Sequence, residues 1–131
     1  MCLEVLMTPA VQNKVSPDRL SKMSGLSVVK RRGLLRSPLS VSFDGGCACS
    51  LLDDEADWDA PNWIFDPSVL EGLACVLKLL HDEAGGFTFQ ALWIGDKPQT
   101  QAHVTLRELL ADVAINRIRN KHVYVVGKAA E

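Results

Sequence analysis

The sequence predicts an α+β fold, in which a mixed sheet of about five or six strands with a central hairpin packs against two main helices. Three observations predict it: segments of alternating apolar residues, two segments with strong helix N-caps, and a nearly continuous apolar run from Phe87 to Ile94. The 131 residues suit a single α+β domain over 1–131. With 47% hydrophobic residues, the chain has enough apolar surface to offset the entropy lost on folding.

The amino-terminal part predicts a strand and a short helix. The strand covers Cys2 to Met7. Ser16-Pro17 then supplies an N-cap and a proline at the first helical position, so a helix begins there. It should end near Met23, because Gly25 favours the left-handed conformation that closes a helix.

The hairpin is predicted from two alternating segments, Leu39–Phe43 and Cys47–Leu51, on either side of Asp44-Gly45-Gly46. A two-residue loop would place their apolar side chains on opposite faces. A three-residue loop with a left-handed glycine places them on one face and pairs Phe43 with Cys47. We therefore expect Val41, Cys49 and Leu51 on the buried side.

The clearest helix begins at Asp66-Pro67 and ends near Ala84. Its apolar stripe consists of Val69, Leu70, Leu73, Val76, Leu77, Leu80 and Ala84. Leu79 lies outside this stripe, beside Gly72 and Cys75. This second packing surface could contact another element of the chain or a second copy, and the second alternative predicts a homodimer.

The carboxy-terminal part is predicted to form a strand, a helix and a second strand. The strand Phe87–Ile94 precedes a polar loop, and Thr105 with Glu108 forms a capping box that opens the helix. A break from Asn116 to Asn120 separates this helix from the strand His122–Val126. This order is compatible with a right-handed parallel crossover.

Cys47 and Cys49 are the candidate catalytic residues, as a redox or metal-binding thiol pair. On one strand, however, residues two apart have Cα atoms about 6.5–7 Å apart, at the upper edge of disulfide reach. Packing of two small side chains inside the hairpin is therefore the favoured interpretation. Cys2 could act as an amino-terminal nucleophile after removal of Met1, but no other motif supports this. No cofactor and no metal site are expected.

The candidate binding residues lie in three places. Trp58 and Trp63 flank Pro61 in an acidic loop and could form a contact site, with one ring buried and the other partly exposed. The acidic loop itself lacks the glycine and distant glutamate of a calcium-binding loop. Arg31 and Arg32 belong to a basic cluster that could bind a polyanion. The pI near 5.9 and the lack of a nucleic-acid-binding motif argue against nucleic acid.

The sequence thus leaves three hypotheses for function. The absence of catalytic motifs, together with Leu79 and the uneven charge, favours a non-catalytic protein-interaction or self-associating module, with an unknown partner or a second copy. The first alternative is a thiol-dependent enzyme or redox protein using Cys47 and Cys49, and the second is polyanion binding. The lack of a targeting segment or a long apolar span predicts a soluble, cytoplasmic protein with no membrane partner.

Overall fold

A mixed six-stranded sheet and three α-helices, seen in a computed structural model, confirm the α+β class. The structure describes residues 3–11, 15–31, 38–43, 47–53 and 60–127. In chain order the elements are β1 (Leu3–Pro9), α1 (Pro17–Ser24), β2 (Ser27–Lys30), β3 (Leu39–Ser42), a 3₁₀ helix (Ala48–Leu51), β4 (Asn62–Trp63), α2 (Pro67–Ala84), β5 (Phe87–Trp93), β6 (Thr100–Val104), α3 (Leu106–Ala114), β7 (Ile118–Arg119) and β8 (His122–Val126).

The six strands are arranged in the order β2–β3–β1–β5–β8–β6. The pairs are antiparallel except β6 with β8, which is parallel. The pairing of β1 with β5 runs from Leu3 opposite Trp93 to Pro9 opposite Phe87 and forms the centre of the sheet. The sequence-adjacent strands β2 and β3 are antiparallel, so the strand order is consistent with a hairpin.

One face of the sheet carries the hydrophobic core. Because alternate residues of a strand point to opposite faces, Met7, its partner Phe89 and the next partner Tyr124 lie on the same side. These side chains are buried in one cluster with the apolar stripe of α2. On this side α2 contacts α1 and α3, whereas the opposite face of β1 is only half-buried.

The predicted helix starts are confirmed by their caps. The Ser16 hydroxyl accepts from the Arg19 N–H, and the Asp66 carboxylate accepts from the Ser68 N–H. At the start of α3, Thr105 and Glu108 form both hydrogen bonds of the capping box. Within the described ranges, no helix combines the length and apolar composition that a membrane crossing requires.

The outer face of α2 is covered by the end of α1. A Cβ atom added to Gly72 would lie 2.8 Å from the carbonyl oxygen of Ser24. The Sγ of Cys75 lies 3.6 Å from the Met23 carbonyl oxygen, and Leu79 packs partly against the core. An element of the same chain therefore occupies the surface predicted to make a second contact.

We expect Gly72→Ala to lower the free energy of unfolding by about 1–3 kcal/mol, because the added methyl group meets a main-chain oxygen that cannot rotate away. This loss outweighs the gain of about 1 kcal/mol in helix propensity. Urea denaturation measures the change. Gly127→Ala is the matched control: nothing lies within 4 Å of an added Cβ there, so its effect should stay within about 0.5 kcal/mol. A Gly72→Ala protein more stable than the parent would contradict the close approach.

The carboxy-terminal crossover differs from its prediction. β5 and β8 are antiparallel, with Phe89 opposite Tyr124, so the parallel arrangement predicted for these two strands is wrong. The parallel partner of β8 is β6, and α3 connects the two. The sequence did not reveal β6 because it is an edge strand. Its Thr100, Gln101 and His103 are exposed, so no apolar alternation marks it.

The predicted second arm of the hairpin is also wrong. Ala48–Leu51 is a 3₁₀ helix, and the predicted partner Phe43 is 55% exposed. The buried residues there are Ala48 and Leu51, which are three apart, as expected for a helix of three residues per turn. The buried residues of this segment therefore recur every third position, as in a 3₁₀ helix. The apolar pattern had predicted burial of every second position, as in a strand. The glycines proposed for the turn lie outside the described residues.

A two-stranded sheet anchors part of the segment predicted as a loop. In β4 and β7, Asn62 lies opposite Arg119 and Trp63 opposite Ile118. Leu52 forms a further isolated bridge with Phe65. These pairings are too short to produce a periodic pattern, which explains why the sequence shows only a loop.

Candidate functional site

Two cysteine thiols lie side by side near the start of β1. The Sγ atoms of Cys47 and Cys49 are 2.9 Å apart. This separation is shorter than the roughly 3.5–4.0 Å that is optimal even for two nonbonded carbon atoms. A disulfide bond of about 2.05 Å therefore requires a relative sulfur movement of about 1 Å. The two thiols are in direct contact.

The 3₁₀ helix brings the two cysteines together. Cys47 is its N-cap residue, and the Cys47 sulfur accepts a hydrogen bond from the Cys49 N–H at 3.4 Å. Ala48 and Leu51 are buried on the inner side of the turn and fix it against the core. The turn consequently folds the Cys47-Ala48-Cys49 sequence back on itself.

The main chain of Leu3 holds the thiols at the edge of β1. The Leu3 N–H donates to Cys49 Sγ at 3.2 Å, and Cys47 Sγ lies 3.9 Å from the Leu3 carbonyl oxygen. The register of β1 with β3 places Ser42, the last residue of β3, opposite Glu4, so β3 ends before it reaches Leu3. In an antiparallel ladder, the N–H and C=O of one residue face the same neighbour. At Leu3, the two thiols thus contact the main-chain groups that β3 would otherwise bond to.

These contacts favour a nucleophilic sulfur at Cys49 more than at Cys47, because the Cys47 thiol faces the Leu3 carbonyl oxygen. Each sulfur accepts a main-chain N–H, and such donors stabilise negative charge on the acceptor. Both cysteines are partly exposed, which a reactive thiolate requires. The site therefore offers access, donors that stabilise a thiolate, and a second thiol within reach.

The sequence-based argument against a bridge between Cys47 and Cys49 rests on a wrong premise, because the two residues do not lie on one strand. It assumed that both residues lie on one strand, where their side chains point the same way but stand apart. In the 3₁₀ turn the two sulfurs converge instead. Packing explains only part of the arrangement, because Cys49 packs partly against the core while both residues keep partial exposure.

Comparison of the chain with protein-family models, curated proteins and solved structures found no match. The argument for function consequently rests on the thiol pair and its surroundings. Among the described residues, no group of three or more His, Cys, Asp or Glu side chains could hold a metal ion.

Of the two tryptophans predicted to form a contact site, Trp63 is 1% exposed. Its Nε1 donates to the Ala91 carbonyl oxygen at 2.8 Å, and its ring meets Trp93 edge-on with centroids 5.3 Å apart. In this position Trp63 packs in the core and offers no surface to a partner. Trp58 lies outside the described residues.

The remaining predicted binding residues are not brought together. Arg31 is exposed, and its guanidinium forms an ion pair with Glu4 at 2.5 Å. Leu79 lies on α2, partly buried against the core. Arg32 lies outside the described residues.

The three histidines stand in separate environments. His122 is 3% exposed, and its Nδ1 is 2.7 Å from the Thr100 hydroxyl. Burial, with a smaller contribution from the positive charge of Arg119, lowers the pKa of His122, so its imidazole is neutral at neutral pH. His81 contacts the Gly127 carbonyl oxygen at 3.0 Å, whereas His103 is exposed. None of these contacts involves the thiol pair.

Proposed function

We propose that the protein is a dithiol–disulfide redox protein whose reacting groups are Cys47 and Cys49. The observation that carries the proposal is the 2.9 Å separation of the two sulfurs in a partly exposed turn. Cysteines that serve only to fill space need neither this proximity nor exposure.

The proposed reaction is thiol–disulfide exchange with an external disulfide. One thiolate attacks a sulfur of that disulfide, whose S–S bond breaks to release one thiol and leave a mixed disulfide on the protein. The second thiolate then attacks the protein sulfur of the mixed disulfide and releases the other thiol. Two electrons and two protons pass from the pair to the external disulfide, which becomes two thiols.

Several contacts weigh against the other two hypotheses. The close-packing surface around Gly72 is occupied by α1, and Trp63 is buried, so two of the features that suggested a partner are used within the chain. In the proposed basic site, Arg31 is paired with Glu4. We further propose a cytoplasmic location, where thiols are kept reduced and the pair could act as a reductant.

The test is exchange with hydroxyethyl disulfide in a Cys2→Ser/Cys75→Ser background, which leaves Cys47 and Cys49 as the only thiols. We expect the folded protein to lose both thiols and two hydrogen atoms in mass, as an internal disulfide forms. Ring closure should be at least about 10-fold faster in the folded protein than in denaturant, because the turn holds the sulfurs at a high effective concentration. Quenched-flow mass spectrometry follows both steps.

Cys47→Ser and Cys49→Ser, made separately in the same background, are the matched controls. Each should stop at a mixed disulfide, since no second thiol is present to release it. The proposal is wrong if the folded pair resists the disulfide until denaturant is added. Accumulation of two stable mixed disulfides, one on each cysteine, would also contradict it.

A further inference from the structure

The strand β6 lies at one edge of the six-stranded sheet, and among the described strands it pairs only with β8. The Thr100 N–H donates to the Lys121 carbonyl oxygen, so the main chain of Thr100 faces β8. Successive residues of a strand direct their main-chain groups to opposite sides, so the N–H and C=O groups of Gln101 and His103 face away from the sheet. The edge therefore presents donors and acceptors to which a further strand can bond.

The sequence of β6 lacks the charges that commonly protect an edge strand. From Gln99 to Thr105 there is no Asp, Glu, Lys or Arg. Natural proteins often prevent pairing at a sheet edge with a lysine, a proline or a bulge. The opposite edge strand of this sheet, β2, ends in the exposed Lys30, and the exposed Arg31 follows it. Two copies of β2 would therefore bring like charges together, whereas two copies of β6 would not.

The residues of β6 also fit an antiparallel copy of the same strand. A two-fold axis can place Gln101 of one copy opposite His103 of the other, so that each pair exchanges both main-chain hydrogen bonds. Ala102 then lies on the axis opposite its own copy, at a non-hydrogen-bonded position where the Cα atoms are only about 4.5 Å apart. The small alanine side chain suits this close approach. In the same register Thr100 lies opposite Val104, and both are β-branched residues that pack well between strands.

We propose that β6 is a self-association edge, to which a second copy of this chain adds antiparallel in the register centred on Ala102. The two six-stranded sheets then form one continuous sheet, with the α3 helices of both copies on the same face. This surface differs from the one beside Leu79 that the sequence predicted for a homodimer, because α1 occupies that surface. The dimer does not depend on the thiol chemistry of Cys47 and Cys49.

Disulfide trapping tests the register, in a protein whose four native cysteines are replaced by serine. Ala102→Cys should give a covalent dimer on mild oxidation, because Cα atoms about 4.5 Å apart lie within the range of a disulfide. Val104→Cys is the matched control. In this register the two copies of residue 104 are four positions apart along the strands, a distance of about 14 Å, so we expect at least about 10-fold less covalent dimer. Mass spectrometry under non-reducing conditions measures both.

Sedimentation equilibrium tests the association of the parent chain. His103→Lys should raise the dissociation constant of the dimer at least about 10-fold, because the two added lysines would lie diagonally across the axis, about 7–8 Å apart. Val29→Lys is the matched control, since Val29 is 47% exposed on β2, at the opposite edge of the sheet. It should leave the dissociation constant unchanged. Urea denaturation checks that both variants fold like the parent.

Three results would overturn the proposal. The first is a parent chain that remains monomeric at about 1 mM, with or without binding of an unrelated extended peptide to β6. The second is equal weakening of the dimer by His103→Lys and Val29→Lys. The third is a Val104→Cys protein that forms as much covalent dimer as the Ala102→Cys protein.

Discussion

Replacing Trp63 with alanine should lower the free energy of unfolding by about 3–5 kcal/mol. The indole is 1% exposed, its N–H donates to the Ala91 carbonyl oxygen at 2.8 Å, and its ring packs edge-on against Trp93. Truncation leaves a cavity between the small β4–β7 sheet and the main sheet, and it deprives a main-chain acceptor of its partner. Because the free energy of unfolding of a small domain is only about 5–15 kcal/mol, this change removes a large part of it. Urea denaturation followed by far-ultraviolet circular dichroism measures it.

Two further variants check the origin of the Trp63 effect. Trp63→Phe retains an aromatic ring but loses the hydrogen bond, so it should cost less than the alanine variant. Ile64→Ala alters the adjacent residue, which is 39% exposed, and should cost less than about 1 kcal/mol. If Ile64→Ala proved as damaging as Trp63→Ala, the loss would reflect disruption of β4 in general.

Asn116→Ala should lower the free energy of unfolding by about 2–4 kcal/mol. The Asn116 amide accepts from the Phe65 N–H at 2.9 Å and donates to the Phe65 carbonyl oxygen at 2.8 Å, so it pairs with this main chain as a strand would. Each lost bond costs about 0.5–1.5 kcal/mol, and more where a buried partner is left unsatisfied. Asn116 also has φ 58°, a left-handed conformation that costs alanine roughly a further 1–2 kcal/mol.

The two causes at Asn116 can be separated by substitution. Asn116→Gly relieves the left-handed strain and removes only the hydrogen bonds, so it should be more stable than Asn116→Ala. Asn116→Asp keeps the acceptor for the Phe65 N–H but cannot donate to the Phe65 carbonyl oxygen, so it should still be destabilised near neutral pH. Equal stabilities for the glycine and alanine variants would mean that the backbone conformation contributes nothing.

The parts of the fold that could be predicted are those whose signal lies in adjacent residues. The caps at Ser16, Asp66 and Thr105 depend on a few consecutive positions, and each helix begins where they indicate. The strand β5 was also predictable, because its apolar run includes the consecutive buried residues Ala91, Leu92 and Trp93.

The parts that could not be predicted depend on distant residues. The parallel partner of β8 is β6, an edge strand with little apolar signal, and β5 pairs with β8 antiparallel. Asn116 lies in a predicted break, and nothing near it in the sequence indicates that its amide binds Phe65.

The thiol pair was recognised as a sequence motif, but its geometry was mistaken. In the Cys47–Leu51 segment, alternation of cysteines and leucine suggested a strand, whereas burial of Ala48 and Leu51 makes a helical turn. The spacing of three positions between these two apolar residues was the sequence feature that indicated a 3₁₀ turn. The contact of Leu3 with the two thiols could not be predicted. It is made by the main-chain N–H and carbonyl, which do not depend on the residue type.

The position of β1 at the centre of the sheet has a consequence for synthesis on the ribosome. Its partner β5 covers Phe87–Trp93, and Leu3 pairs with Trp93, which is about 90 residues further along the chain. Leu3 therefore has no partner in β5 until the ribosome has added those residues. At about 5–20 residues per second, this delay lasts roughly 5–20 s. During that time the apolar side of β1 lacks the strand that flanks it in the finished sheet. In this interval the apolar side of β1 is therefore open to contact with chaperones or other chains, and Leu3, whose main chain contacts the thiol pair, gains its second neighbour only when the interval ends.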